Sequence, residues 1–319
     1  MTMGGDQTRS GAWAHRAGAL ASEGWSVVVE PGDDRLDGWR HTGLRVADLD
    51  AGERELAAGP VERLVVPLVG GAHIAAITPD GAVHEYELEG RRSVLDGPTD
   101  TLYLPPGTRA TLRSRPSGGV ARVAVAEAPA EHGGPLRRLP GDAAPVELRG
   151  RGRSSRQVHD LGTPAVLEAG RLIVCEVITP SGNWSSYPPH KHDEHRPGIE
   201  SRLEEIYYFE VVPEAGAPDD PDAVAYFSAS SSATTEISID TRVGTGDVVL
   251  VPGGYHGPAA APPGYHLYYL NVMAGPDERA WHITDDPAHA WIRKTWSTEP
   301  IDPRLPLGDR PQSAPDPEG

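Results

Sequence analysis

Punctuation limits what this chain can become: 37 glycines and 32 prolines are spread through its 319 residues, between short Val/Leu/Ile runs. Proline removes a backbone donor and glycine frees φ, so this spacing predicts many turns joining many short strands, with little room for long helices. A first series begins at "WSVVVE" (Trp25 to Glu30) and continues through "ERLVVPLV", "AHIAAIT", "AVHEYEL", "TLYLP", "RATLRS" and "ARVAVAEA". Each run is bounded by Gly, Pro or Asp. A second series follows the Arg/Gly-rich "LRGRGRSSRQVHDLG" (Leu148 to Gly162): "RLIVCEVIT", "EEIYYFEVV", "AVAYFSAS", "TTEISID", "GDVVLVP" and "YHLYYLNVMAG". One segment, "AHAWIRKTW" (Ala288 to Trp296), carries apolar residues at helical spacing and is the best helix candidate.

The two series share a rhythm. "LDGPTDTLYLPPGTRATLRS" (Leu95 to Ser114) and "VGTGDVVLVPGGYHGPAAAPPGYHLYYLN" (Val243 to Asn271) both run turn, apolar strand, Pro-Gly turn, strand. That similarity predicts two copies of one jelly-roll β-barrel in tandem, residues 25–150 and 151–306. Residues 1–24, polar and small, and residues 307–319, Pro-rich and acidic, read as tails that fray or drape over the surface.

A formal net charge of −17 excludes a phosphate-tracking surface, because nucleic-acid binders need a basic stripe and the arginines here lie scattered among acids. Cys175 is the single cysteine, so no intrachain disulfide can form, and its place in the apolar run "LIVCEV" reads as a buried, inert thiol. The N-terminal segment lacks the apolar core of a secretion signal and no stretch approaches a membrane span, so the expectation is a soluble cytoplasmic protein.

Chemistry concentrates in "SYPPHKHDEH" (Ser186 to His195), which holds three of the chain's 13 histidines within six positions. In an extended segment, side chains two apart share a face, so His190 and His192 can present both imidazoles to one point while Lys191 turns away. A divalent ion needs four or more ligands. "RLEEIYYFEV" (Arg202 to Val211) supplies carboxylates at the start of a strong strand, with Glu205, Tyr207 and Phe209 on one face and Glu204, Ile206 and Tyr208 on the other. His256, in "VPGGYHGP", follows the strand "DVVLVP" at a Gly-rich turn. The bland alternative is a set of solvated loop histidines beside acids. Histidine-x-histidine, a glutamate on the next strand and a histidine about fifty residues on is, however, the ligand order of the cupin barrels.

Four longer stretches extend this likeness: "CEVITPSGNWSSYPPHKHD", "LEEIYYF", "VPGGYHGPAAAPPGYHLYYLNVMAGP" and "RAWHITDDPAHAWIRKTW". Together they resemble the 5-deoxy-glucuronate isomerase family of myo-inositol degradation, itself similar to the uronate ketol-isomerases. The resemblance runs from about Trp25 to Pro306 and implies an all-β bicupin with few short helices. It places the metal in the C-terminal barrel, whereas the N-terminal barrel is degenerate: His73 and His84 are isolated there, with no HxH. Carried over by motif, the ligands are His190, His192, Glu205 and His256. Glu205 follows His192 by thirteen residues where most cupins use about four, and the insertion leaves Glu204 open as the alternative.

The reaction so implied is an aldose-ketose isomerisation of a small sugar acid, assisted by a divalent ion: zinc or manganese first, with iron or nickel also compatible. Proton carriers are left open among His195, Glu194, Glu204 and Tyr208, each of which has a bland role as a charged-loop, solvent-facing or barrel-wall residue. A guanidinium is expected to hold the substrate carboxylate, and Arg156, Arg279 and Arg293 are the candidates. Trp184 and Tyr187 either wall a pocket or fix the loop that aims His190, Pro188 and Pro189 stiffen that loop, and His266 reads as a packed histidine on a strand. Exposed barrel edges favour a homo-oligomer.

Overall fold

The structure is a computed structural model that describes residues 13–115, 119–218 and 222–308. Nearly all regular structure is antiparallel β. Short 3-10 turns supply the rest, among them Ala290–Ser297, where the sequence suggested a helix. No helix among the described residues is long and apolar enough to cross a membrane.

The first barrel is organised around the 17-residue strand Val61–Ile77. Its leading half pairs with Thr101–Leu104 and Arg122–Pro129, and its trailing half with Val83–Arg91 and Arg109–Ser114, so one strand serves both walls. The change of wall occurs at Gly70, whose φ is +67° and where a Cβ would lie 2.2 Å from the Val120 carbonyl oxygen. Only glycine fits there.

The second barrel has a seven-stranded wall in the order Ala14–His15, Val248–Val251, Glu204–Pro213, Tyr265–Ala274, Ile173–Thr179, Arg156–Asp160 and Val146–Arg149. Facing it is a smaller wall that includes Ala225–Ser230, Tyr255–Ala260, His190–Lys191 and Thr284–Asp285. Alternation distributes side chains of the large wall between two cores. Along Glu204–Pro213, Ile206 and Tyr208 join a cluster shared with Leu44, Leu64 and Val66 of the first barrel. Tyr207, Phe209 and Val211 point into the second barrel with Phe227, Ile239 and Met273. Both faces are therefore buried, which explains why this strand reads as an almost unbroken apolar run.

Three boundaries differ from the sequence reading. The segment before residue 25 is not wholly a tail: Ala14 and His15 pair with Val249 and Val248, Arg16 Nη1 donates to Asp247 at 2.8 Å, and the Ala17 amide donates to the same carboxylate. Residues 1–12 lie outside the described residues. Val146–Arg149, assigned from sequence to the first unit, pairs with Arg156–Asp160 in the second. At the other end, Leu307 exchanges two hydrogen bonds with the Gln157 side chain and packs on the shared core; residues 309–319 lie outside the described residues.

Candidate metal centre

His190 opens the short strand His190–Lys191 and stands opposite His256 of Tyr255–Ala260 in register. His192 follows one residue past that strand. Their ring centroids are 4.5 Å apart for His190 and His256 and 4.7 Å for His192 and His256, and one nitrogen from each of the three imidazoles falls within 4.8 Å of the others. Glu205, at the start of Glu204–Pro213, brings Oε2 to 3.0 Å from Nε2 of both His192 and His256. The four residues expected to converge do so.

The tautomers are set from behind. His192 Nδ1–H donates to the Leu203 carbonyl at 3.2 Å and His256 Nδ1–H to the Gly254 carbonyl at 3.1 Å. Each Nε2 is thereby turned toward Glu205, and the buried Nε2 of His256 has no hydrogen-bond partner despite its nearness to the carboxylate. Three imidazoles and a carboxylate oxygen meeting at one point can hold a divalent metal ion. Burial, reinforced by the neighbouring His256 and His192, pushes the His190 pKa well down, so this imidazole keeps a free lone pair. At His192 burial opposes the charged form, but the bond to Glu205 and its charge raise the pKa overall. Glu205 stays well below the usual carboxylate range despite burial, because His192 bonds to it and the His256 ring lies beside it.

The other proton-carrier candidates do not reach the histidines. Glu204 is on the opposite face, where Oε1 accepts the Arg40 amide at 2.7 Å and Oε2 accepts the His41 amide at 2.7 Å and the Thr42 amide at 3.2 Å. Both oxygens are committed to a loop of the first barrel, so it is neither ligand nor base. Tyr208 faces the inter-barrel core and donates to Glu210 at 3.3 Å. His195 is exposed, with Nδ1 3.7 Å from Asp277. Glu194 joins Asp193 and Glu200 around Lys191 Nζ, at 2.5, 2.6 and 2.7 Å respectively. That explains the lysine between two histidines: its charge holds an acidic turn that carries His192.

In their place the structure brings three hydroxyls to the site. Ser186 Oγ is 3.2 Å from Tyr207 Oη and 3.1 Å from Tyr269 Oη, and Tyr207 also bonds Glu205. Ser186 holds a left-handed φ of +47°, and Gly257 packs against its carbonyl oxygen, leaving 1.8 Å for a Cβ at residue 257. The period-two alternation that put Tyr207 on the Glu205 face was the signal for Tyr207. For Ser186 there was none, because a serine in a turn is unremarkable until its backbone is seen.

Of the arginines, Arg279 gives its three nitrogens to the carbonyls of Leu172, Leu167 and Gly162 at 2.7, 2.6 and 2.7 Å. Arg293 forms a forked pair with Asp285. Arg156 is partly buried with the ring of Trp296 at 5.9 Å. Trp184 is 44% exposed and stacks edge-on to Tyr187, on the outer side of the loop. His266 Nδ1 accepts the Ser181 amide at 3.2 Å. Cys175 is fully buried, and burial pushes its thiol pKa well up.

Residues 13–292 match the KduI/IolB family. A 5-deoxy-glucuronate isomerase from Bacillus licheniformis is 40% identical over 276 residues, which is 85% of this chain and 94% of that protein. Another from Geobacillus kaustophilus is 38% identical over 263 residues, covering 81% and 88%. The crystal structure of an IolB-like protein from Salmonella typhimurium LT2 superposes with a TM-score of 0.75 at 33% identity, covering 88% of this chain and 98% of that one. Lactobacillus farciminis oxalate decarboxylase shares the fold alone, at a TM-score of 0.55 and 12% identity over 89% of each chain. With its sequence match running through both barrels and the histidine cluster, this all-β bicupin belongs to the KduI/IolB family.

Proposed function

We propose that the protein is a metal-dependent aldose-ketose isomerase that converts 5-deoxy-glucuronate to 2-deoxy-5-keto-gluconate in myo-inositol degradation. The observation that carries this reading is the meeting of His190, His192, His256 and Glu205 at one point, in a chain whose relatives are named for that reaction. The reaction removes a proton from the carbon beside an aldehyde, a very weak acid, and returns one to the neighbouring carbon. A zinc or manganese ion supplies the Lewis acidity that makes this feasible at neutral pH.

The chain's own residues do the rest. His190, His192, His256 and Glu205 would hold the ion. The Leu203 and Gly254 carbonyls keep the ligating nitrogens aimed. Apolar walls from Phe227, Ile239 and Met273 exclude water below the site. Ser186, Tyr207 and Tyr269 offer hydroxyls for the sugar's own, which orients the carbon that loses its proton.

The test is ketose formation and oxygen uptake, measured together on metal-loaded protein with a 5-deoxy-hexuronate. Ketose without oxygen uptake is expected. Oxygen consumption would reassign the centre to an oxygenase, and binding with neither would reduce the protein to a sugar-acid binder.

A further inference from the structure

Arg156 begins the strand Arg156–Asp160, whose Val158 points into the second barrel, and alternation sends Arg156 to the same side. Opposite it in register is Arg149. Like charges directly across a strand pair are unfavourable, and each needs an anion. Arg149 has one: Nε donates to Glu147, and the guanidinium lies 5.0 Å from the Trp281 ring. Arg156 does not. Its Nη1 donates to the Ser154 carbonyl at 3.3 Å, and among the described residues no carboxylate bonds to it, Asp285 acting on it only through its field.

Burial, with Arg149 and Arg293 adding to it, pushes the Arg156 pKa down to about 10, so the group is desolvated yet still cationic at neutral pH. The chain also makes room for it: a Cβ at Gly150 would come within 2.7 Å of Nη1. Around it, Trp296 is shared with Arg293, whose partner Asp285 lies beside His190 in the smaller wall. Asp285 is already forked to Arg293, and a partly buried guanidinium with no carboxylate bonded to it is costly to maintain, while its planar fork matches a carboxylate.

We propose that Arg156 binds the carboxylate of the sugar acid, holding the end of the substrate remote from the aldehyde and setting the preference for uronates over neutral sugars. The identity of the acid rests on the isomerase reading above. The presence of an anion subsite beside the histidines does not.

Titrations with D-glucuronate and with neutral D-glucuronamide, followed by tryptophan fluorescence with Trp296 as the nearest reporter, separate these claims. Wild-type protein should prefer glucuronate by about tenfold or more, as a charge-assisted forked pair warrants. Arg156→Gln should erase that preference while leaving glucuronamide affinity and metal content unchanged. A preference that survives in Arg156→Gln, or an equal loss of both ligands, overturns the proposal. If Arg156→Gln fails to fold, Arg156→Lys decides: a reduced preference supports the anchor, because lysine cannot fork, and an unchanged one refutes it. Should the wild type form no ketose from 5-deoxy-glucuronate, the isomerase reading fails while the glucuronate titration still judges the subsite.

Discussion

Glu204 and Glu205 are adjacent in sequence and opposite in role. Glu205→Gln should cut retained metal by at least about tenfold on dialysis, since a neutral amide is a poor ligand for a hard cation. Glu204→Gln should keep its metal and lose about 1–3 kcal/mol of stability, because its oxygens satisfy backbone amides of Arg40, His41 and Thr42. Elemental analysis and urea melts on the two variants check this pair. Gly257→Ala should cost about 2 kcal/mol or more, measured the same way, since φ is +100° there and the new methyl would strike the Ser186 carbonyl. The convergence of His190, His192, Glu205 and His256 was legible because side-chain direction in a strand alternates strictly, so "LEEIYYF" chooses between its two glutamates once the inward face is known. Proton carriers were not legible: His195, Glu194, Glu204 and Tyr208 are near His192 or Glu205 in sequence, but each is held by a partner that sequence does not reveal.

The two barrels set equivalent strands side by side, and the comparison shows what one of them has given up. Glu205, the second residue of Glu204–Pro213, stands opposite Val251, the last residue of Val248–Val251, and opposite Met273. Arg63 occupies the matching place in the first barrel, opposite Leu104 and Glu127. Its Nε donates to Glu127 at 2.6 Å and its Nη1 to the Thr108 carbonyl at 3.2 Å, so an internal ion pair stands where the other barrel brings Glu205 to its histidine cluster. The strand rhythm and the repeated Pro-Gly turns announced two such units. The strand Ala14–His15 was not announced, because "GAWAHRAG" has no alternation and its pairing depends on an edge more than 200 residues away. Deleting residues 1–17 should uncover that edge and remove the bonds from Arg16 and Ala17 to Asp247, lowering the melting temperature by roughly several degrees in a thermal scan.

Across the whole molecule, the barrels are joined by a shared apolar core and by buried polar contacts, among them a network centred on Glu176. Arg91 of the first barrel grips Glu176 of the second with two bonds of 2.7 Å, while His159 Nδ1 at 2.6 Å and Tyr268 Oη at 2.8 Å complete the carboxylate's partners. Burial works against this charge, but Arg91 and His159 hold the Glu176 pKa down to about 2. A carboxylate depressed on folding stabilises above its unfolded value, near 4.5, and that contribution is lost as pH falls toward 2. Glu176→Gln should therefore destabilise the protein by about 3–5 kcal/mol at neutral pH, with the gap to wild type narrowing between about pH 4.5 and 2 in denaturant melts. This network was invisible in sequence, since Arg91, His159 and Glu176 come from separate strands and nothing local marks a glutamate in "LIVCEV" as charged and buried.

The N-terminal strand also dictates an order of assembly. Ala14 and His15 leave the ribosome early, yet the edge they complete, Val248 and Val249, is made only when most of the chain has emerged. Ala14 and His15 therefore cannot dock while the first barrel is being made, and their pairing waits for the strands that follow it.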